Sequence, residues 1–215
     1  MHLKRQKIPK NWPIQRKGTS YIVRPNFNME KGIPILIVLR DMLKVAQNRK
    51  EVKKALNSRR VLLNNKLVTS EKNSVLLFDV INLVPSNQNY RLSLTEKGKF
   101  KAEEIKEAEA NKKIAKIVNK KILKGKKIQL NLDDGKNILS DIKCTVNDSV
   151  LLDLEKGKIV KCLPLKEKSK VMVFAGNHAG STGVINKINQ ERKMVELKAN
   201  EKNINVLIKQ IMIIE

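Results

Sequence analysis

Aromatic side chains are scarce. The chain has one Trp, two Tyr and four Phe among 215 residues: Trp12, Tyr21, Phe27, Phe78, Tyr90, Phe100 and Phe174. Its cores must therefore rest on Ile, Leu and Val, and small domains built that way are marginal alone. Histidine and cysteine are as rare. Cys144 and Cys162 stand 18 positions apart, and His2 and His178 lie near opposite ends. No close ligand pair of the C-x-x-C kind exists, so no zinc site is expected. Two cysteines suit a reducing cytosol and read as ordinary thiols. No apolar run approaches the roughly 20 residues a membrane span needs; the longest, Ile33 to Leu39, is interrupted by Pro34. No secretory signal is expected before the basic start, and no basic amphipathic helix with large apolar anchors suggests a membrane surface.

Acidic residues are also few: 21 against 45 Lys and Arg, a formal charge of +24. The excess is spread along the chain, at +7 in residues 1–31, +6 in 32–90, +7 in 91–165 and +4 in 166–215. A compact body so charged repels itself unless a polyanion neutralises it. Nucleic acid is the expected partner, because each neutralised phosphate releases counterions.

The pattern along the chain divides into four parts. Residues 1–33, with Pro9, Pro13 and Pro25 and no sustained period, read as an extended basic arm with a turn near Lys17-Gly18 and a short strand at Ser20 to Val23. Residues 34–90 read as a helical and β-ribbon module. Pro34 suits the first turn of a helix through Ala46. Asn48 and Glu51 make a capping-box pattern for a second helix with Val52, Ala55 and Leu56 on one face. Asn64-Asn65 supplies a hairpin turn, and Val75 to Leu83 reads as a strand. Residues 91–166 read as β-rich, with a short helix at Glu103 to Lys113, a hairpin at Asp134-Gly135 and a strand pair around Lys156-Gly157. KIAKIVNKKIL, from Lys113, fits neither the helix nor the strand period. Residues 167–215 have the pattern of a small β-barrel with a glycine-rich loop, GNHAGSTG.

Candidate chemistry is thin. GNHAGSTG lacks the lysine and spacing of a phosphate loop, and a strand rather than a helix follows it. Its glycines suit turns, or a backbone that approaches an RNA phosphate closely. Asp133-Asp134 reads as turn chemistry and Glu103-Glu104 as a helix start. His178 beside Ser181 lacks the nucleophile elbow and orienting acid of a hydrolase. The basic helix is more informative. Arg49, Lys50, Lys53 and Lys54, extended by Arg59 and Arg60, carry only Glu51 among them, which favours a phosphate-contacting face over a salt-bridged one.

His2-Leu3-Lys4-Arg5 followed by Pro9, Trp12 and Ile14, with Lys17-Gly18 and Val23-Arg24-Pro25, resembles the N-terminal pattern of the archaeal and eukaryotic (e-type) family of small-subunit ribosomal protein four. Gln6 departs from it. Residues 41–83 resemble the RNA-binding module shared with bacterial ribosomal protein four, with Arg49, Lys53, Ala55, Leu56, Val61 and Asp79 at matching places and Arg59 and Asn65 where glycines are usual. Gly125 to Ile138 resembles the family's central domain. Val171, Val173, Gly176, Gly180, Gly183 and Ile188 resemble a KOW element, a small SH3-like barrel.

The resemblance implies an α+β multi-module protein: an extended arm, a helical and β-ribbon module, a β-rich central domain and an SH3-like (KOW) barrel. It implies a structural, non-enzymatic constituent of the small ribosomal subunit in the cytoplasm. Its partners would be rRNA and neighbouring ribosomal proteins, without cofactor, metal, membrane or small-molecule substrate. The alternative is a non-ribosomal RNA-binding factor, or the anchor module of an RNA-modifying enzyme. Expected rRNA contacts are His2, Lys4, Arg5, Lys7, Lys10, Trp12, Arg16, Lys17 and Arg24 in the arm, Arg49, Lys50, Lys53, Lys54, Arg59 and Arg60 in the module, and Asn177 and His178 in the glycine-rich loop. The arm is expected to be ordered by RNA rather than by a core. Trp12 either stacks on a base or covers the helical module.

Overall fold

The computed structural model describes residues 2–140, 142–199 and 202–214, with the backbone alone at Lys126 and Lys202. It divides into two compact units, Met1–Leu94 with Lys99–Asn111, and Thr95–Gly98 with Lys112–Glu215.

The first unit opens on a two-stranded ribbon of β1 (Leu3–Lys4) and β2 (Tyr21–Ile22). The arm is not free. Leu3 and Trp12 are buried, the Trp12 Nε1–H donates to the Gly32 carbonyl at 3.1 Å, and the Asn11 carbonyl accepts from the Phe100 N–H at 2.8 Å. Ordering by RNA is thus not required for residues 2–16: a buried indole and backbone bonds hold them.

Next come β3 (Ile33–Pro34), α1 (Ile35–Ile37), a π-helical turn Val38–Met42, and α2 (Arg49–Asn57). Pro34 sits one place before the first helical turn, as the N-cap, and pairs with Ser74 of the later strand β6 (Ser74–Val75). Ile35 to Leu39 are buried without a break, so this short helical segment is enclosed on all sides. It ends at Met42 rather than Ala46, because Lys44 takes a left-handed φ of 55°.

The hairpin of β4 (Val61–Leu63) and β5 (Lys66–Leu67) turns on Asn64 and Asn65, both at positive φ, as the sequence requires. The expected strand from Val75 to Leu83 is broken into β6 and β7 (Val80–Leu83). Phe78 has φ 61°, and the buried Asp79 carboxylate accepts from the Leu76 N–H at 2.7 Å and the Asn64 Nδ2 at 2.8 Å. That carboxylate ties the break to the hairpin turn.

β8 (Gln88–Leu94) and β9 (Phe100–Ile105) complete an antiparallel sheet of order β5-β4-β7-β8-β9, and α3 (Glu107–Ala110) follows. Residues 91–105 therefore join the sheet of the helical module, and the boundary expected at residue 90 falls at Asn111–Lys112. Glu103 and Glu104 are strand residues paired with Arg91 and Tyr90, not a helix start. The partner strand overrides the local helical pattern.

The second unit holds two five-stranded antiparallel sheets. The first comprises β10 (Lys112–Ile122), β11 (Ile128–Leu132), β12 (Asn137–Leu139), β13 (Ser149–Asp153) and β14 (Ile159–Leu163), in the order β12-β11-β10-β13-β14. Its core holds Ala115, Ile117, Leu130, Leu132, Cys144, Val150 and Leu152. The second comprises β15 (Lys170–Val173), β16 (Thr182–Asn189), β17 (Met194–Ala199), β18 (Lys202–Leu207) and β19 (Ile211–Ile213), in the order β18-β17-β16-β15-β19. The chain closes in two strands, β18 and β19, around a 3₁₀ turn at Ile208–Gln210.

The two sheets are joined by polar bonds as well as by Leu163, which packs into the second core. The buried Lys116 ammonium on β10 donates to the carbonyls of Ile208 and Ile211 and lies 5.7 Å from the Phe174 ring centroid. Ser149 accepts from the Ile213 N–H at 2.9 Å.

Candidate nucleic-acid interface

α2 is positioned from both ends. The Asn48 side chain accepts from the Glu51 N–H at 3.0 Å, and Glu51 reaches back to the Gln47 N–H at 2.7 Å. Val52 and Leu56 are buried beneath it. That leaves Lys50, Lys53 and Lys54 exposed, with Arg59 and Arg60 exposed at the C-terminal end. Arg59 occupies a left-handed φ of 55° just past the helix, where glycine is the usual solution.

Arg49 is committed elsewhere. Its Nε lies 2.9 and 3.0 Å from the two Glu71 carboxylate oxygens, and its Nη2 also bonds that carboxylate. Lys53 Nζ is 3.9 Å from the same group. Glu71 is buried, and the Arg49 hydrogen bond holds its carboxyl below the ordinary value against the opposing effect of burial. The local sequence showed only Glu51 as an acid near this helix. Glu71 lies 22 residues from Arg49 and had no local signal.

In the arm, His2, Lys4, Lys7, Lys10, Arg16, Lys17 and Arg24 are exposed. Arg5 is not presented in the same way. Its guanidinium donates to the Thr19 carbonyl at 2.7 Å, the Gln15 carbonyl at 2.5 Å and the Thr19 hydroxyl at 2.9 Å, clamping the 15–19 loop. Trp12 is 3% exposed, so its ring has no face for a base. Its indole N–H is spent on the carbonyl of Gly32, the residue before β3. Sequence reasoning passed over Tyr21, which is 58% exposed beside His2. Its only signal was being an aromatic in a basic segment of a chain poor in them.

Asn177 and His178 are exposed in the glycine-rich loop of the other unit. The loop glycines have packing reasons. Gly180 has φ 93°, and a Cβ there would stand 1.9 Å from the Thr95 carbonyl oxygen. No group of three or more His, Cys, Asp or Glu suited to a metal occurs among the described residues. Cys144 and Cys162 are free thiols; burial, then the hydrogen bond with Cys144, pushes the Cys162 thiol up to about 12.

Comparison with known proteins gives consistent matches. The model of ribosomal family S4e matches residues 86–159, and that of the RS4NT (NUC023) domain matches residues 1–27. The small ribosomal subunit protein eS4 of Methanocella arvoryzae is 40% identical over 190 residues, covering 87% of this chain and 80% of that protein. Its namesake from Methanothermobacter thermautotrophicus is 38% identical over 194 residues, with 89% and 80% covered. The crystal structure of 30S ribosomal protein S4e from Thermoplasma acidophilum shares the fold, at TM-score 0.74 and 24% identity, over 86% of this chain and 95% of that one.

Proposed function

The chain belongs to the eS4 family of small ribosomal subunit proteins, and from that premise we propose how its parts divide the work. It is a structural constituent of the small subunit of the cytoplasmic ribosome, not an enzyme, and its partners are rRNA and neighbouring ribosomal proteins.

Residues 34–111, with α2 and the β4–β5 hairpin, act as the RNA-binding module. The observation that carries this is the one-sided helix: Val52 and Leu56 fix its inner face, and Lys50, Lys53, Lys54, Arg59 and Arg60 stand outward. Phosphate contacts from such a face set register on RNA without reading sequence. The arm, residues 1–33, adds cations on a folded ribbon: His2, Lys4, Lys7, Lys10, Arg16, Lys17 and Arg24. Residues 112–166 form the central domain, and residues 167–215 act as an SH3-like KOW element. The return of β19 to β15 after a 3₁₀ turn supports that last reading. Asn177 and His178 offer RNA contacts from its loop.

The test is co-sedimentation with small subunits through a high-salt wash, together with charge reversal at Lys50, Lys53, Lys54 and Arg60. Arg49 is left intact because its loss would leave Glu71 without its main partner. Reversal is expected to weaken association with small-subunit rRNA and to reduce the log–log salt slope by about 0.7–0.9 for each phosphate no longer neutralised. A chain that stays in the supernatant, or an unchanged slope, overturns the assignment.

A further inference from the structure

We propose that Tyr21, braced by the tilted His2 ring, forms a stacking platform for an unpaired RNA base, a reading that rests on the rRNA-binding role above. Trp12, Phe78 and Phe100 are buried, as aromatic rings in a small core should be, whereas Tyr21 and Phe27 leave 58% and 51% of their surface in water, and of these two Tyr21 stands beside a second ring. The Tyr21 ring is 5.4 Å from the His2 ring, centroid to centroid, tilted by 53°. Register explains the pairing. Lys4 stands opposite Tyr21 and Leu3 opposite Ile22, so His2, Lys4 and Tyr21 share one face of the ribbon while Leu3 is buried on the other.

The platform is built before any ligand arrives. Arg5 clamps the loop that leads into β2, and the Thr19 hydroxyl donates to the Tyr21 carbonyl at 3.3 Å. Binding therefore orders little backbone, and most of the stacking energy is retained. The chemistry selects the ligand. Bases inside an A-form duplex are stacked on each other and closed to an outside ring; an unpaired base is open on its π-face. Lys4, across the ribbon from Tyr21, supplies the cation for that nucleotide's phosphate. The ribbon thus takes a single-stranded nucleotide, while α2 is suited to phosphates of either form.

The experiment uses the full chain with Tyr21→Phe and Tyr21→Leu, and two probes, a short oligoadenylate strand and a blunt RNA duplex of equal length. Tyr21→Leu is expected to weaken oligoadenylate binding roughly ten- to hundredfold, with duplex binding and both salt slopes unchanged. Tyr21→Phe, which keeps the ring, is expected to bind as the wild type does. Wild-type binding of oligoadenylate by Tyr21→Leu, or an equal loss on both probes, overturns the platform while leaving the helix face standing. A wild-type chain that binds neither probe overturns both.

Discussion

Arg49 and Glu71 form a forked ion pair between α2 and the segment that leads into β6, with both carboxylate oxygens within 3.0 Å of the Arg49 Nε. The pair turns a residue expected on the RNA face into a support for the helix that carries that face. Lys53, 3.9 Å from the same carboxylate, stays exposed enough to serve both ends.

Glu71 makes the first unit sensitive to acid. Its folded value is lowered, so the stabilisation is complete above the unfolded value of about 4.3 and is lost as pH falls through the folded one. Melting curves from pH 7 to pH 3 are expected to show this loss, and Glu71→Gln is expected to flatten it. At neutral pH the same substitution is expected to cost about 1–3 kcal/mol.

Lys113 and Asp134 form a second pair, Nζ to Oδ2 2.7 Å, with both side chains almost wholly buried. Burial raises the Asp134 carboxyl, but the Lys113 charge and hydrogen bond, with the Lys136 N–H and charge, outweigh it and leave the net shift downward. Asp134→Ala is expected to cost about 3–5 kcal/mol by removing one partner of a buried ion pair. Adding Lys113→Met is expected to recover part of that loss. Denaturant titration of the two single variants and the double variant measures it; strict additivity would mean the pair is not coupled.

Arg59 trades stability for charge. Its left-handed backbone costs about 1 kcal/mol relative to glycine. Arg59→Gly is expected to raise the unfolding midpoint while lowering rRNA affinity, and to reduce the salt slope by about 0.7–0.9, the share of a single phosphate. A variant that gains stability with unchanged RNA binding would remove Arg59 from the interface.

Trp12 anchors the arm. Trp12→Ala is expected to cost about 3–5 kcal/mol, and deletion of residues 2–16 is expected to lower the melting point of the RNA-free protein. The chain has one tryptophan, so its emission, expected to be blue-shifted in the RNA-free protein, reports this packing directly. Emission that moves to longer wavelength in the RNA-free protein and returns on RNA binding would restore the RNA-ordered arm.

Cys162 is expected to resist thiol reagents in the folded chain, because its thiol is pushed up to about 12 and the thiolate is the reactive form. Labelling of Cys162 at neutral pH is expected to be much slower than that of a free thiol, measured by the time course of a chromogenic disulfide reagent.

Elements with local chemistry were legible in the sequence: the Asn48 cap, the Asn64-Asn65 turn, the Asp134-Gly135 hairpin and the outward cations of α2. What escaped depends on distant partners. The stretch from Lys113 fitted no period because a bulge between Ile117 and Asn119 shifts its register and because Lys113 and Lys116 point inward, where a pattern reader expects apolar side chains. Glu103 and Glu104 looked helical until β8 supplied a strand to pair with. Arg5, Trp12 and Arg49 were expected as RNA contacts by residue type, yet their bonds run to Thr19, Gly32 and Glu71, which no local window joins.

The Lys116 ammonium has a consequence for synthesis. Its carbonyl partners lie 92 and 95 positions downstream. A growing chain that has already laid down β10 to β14 holds a lysine destined for the interior before those carbonyls have been made. Such non-local pairings raise the contact order of the unit, and topologies of that kind fold more slowly than local ones. The bonds from Lys116 to residues 208 and 211 thus form only after nearly the whole second unit has been made, and they tie its first strand to its last.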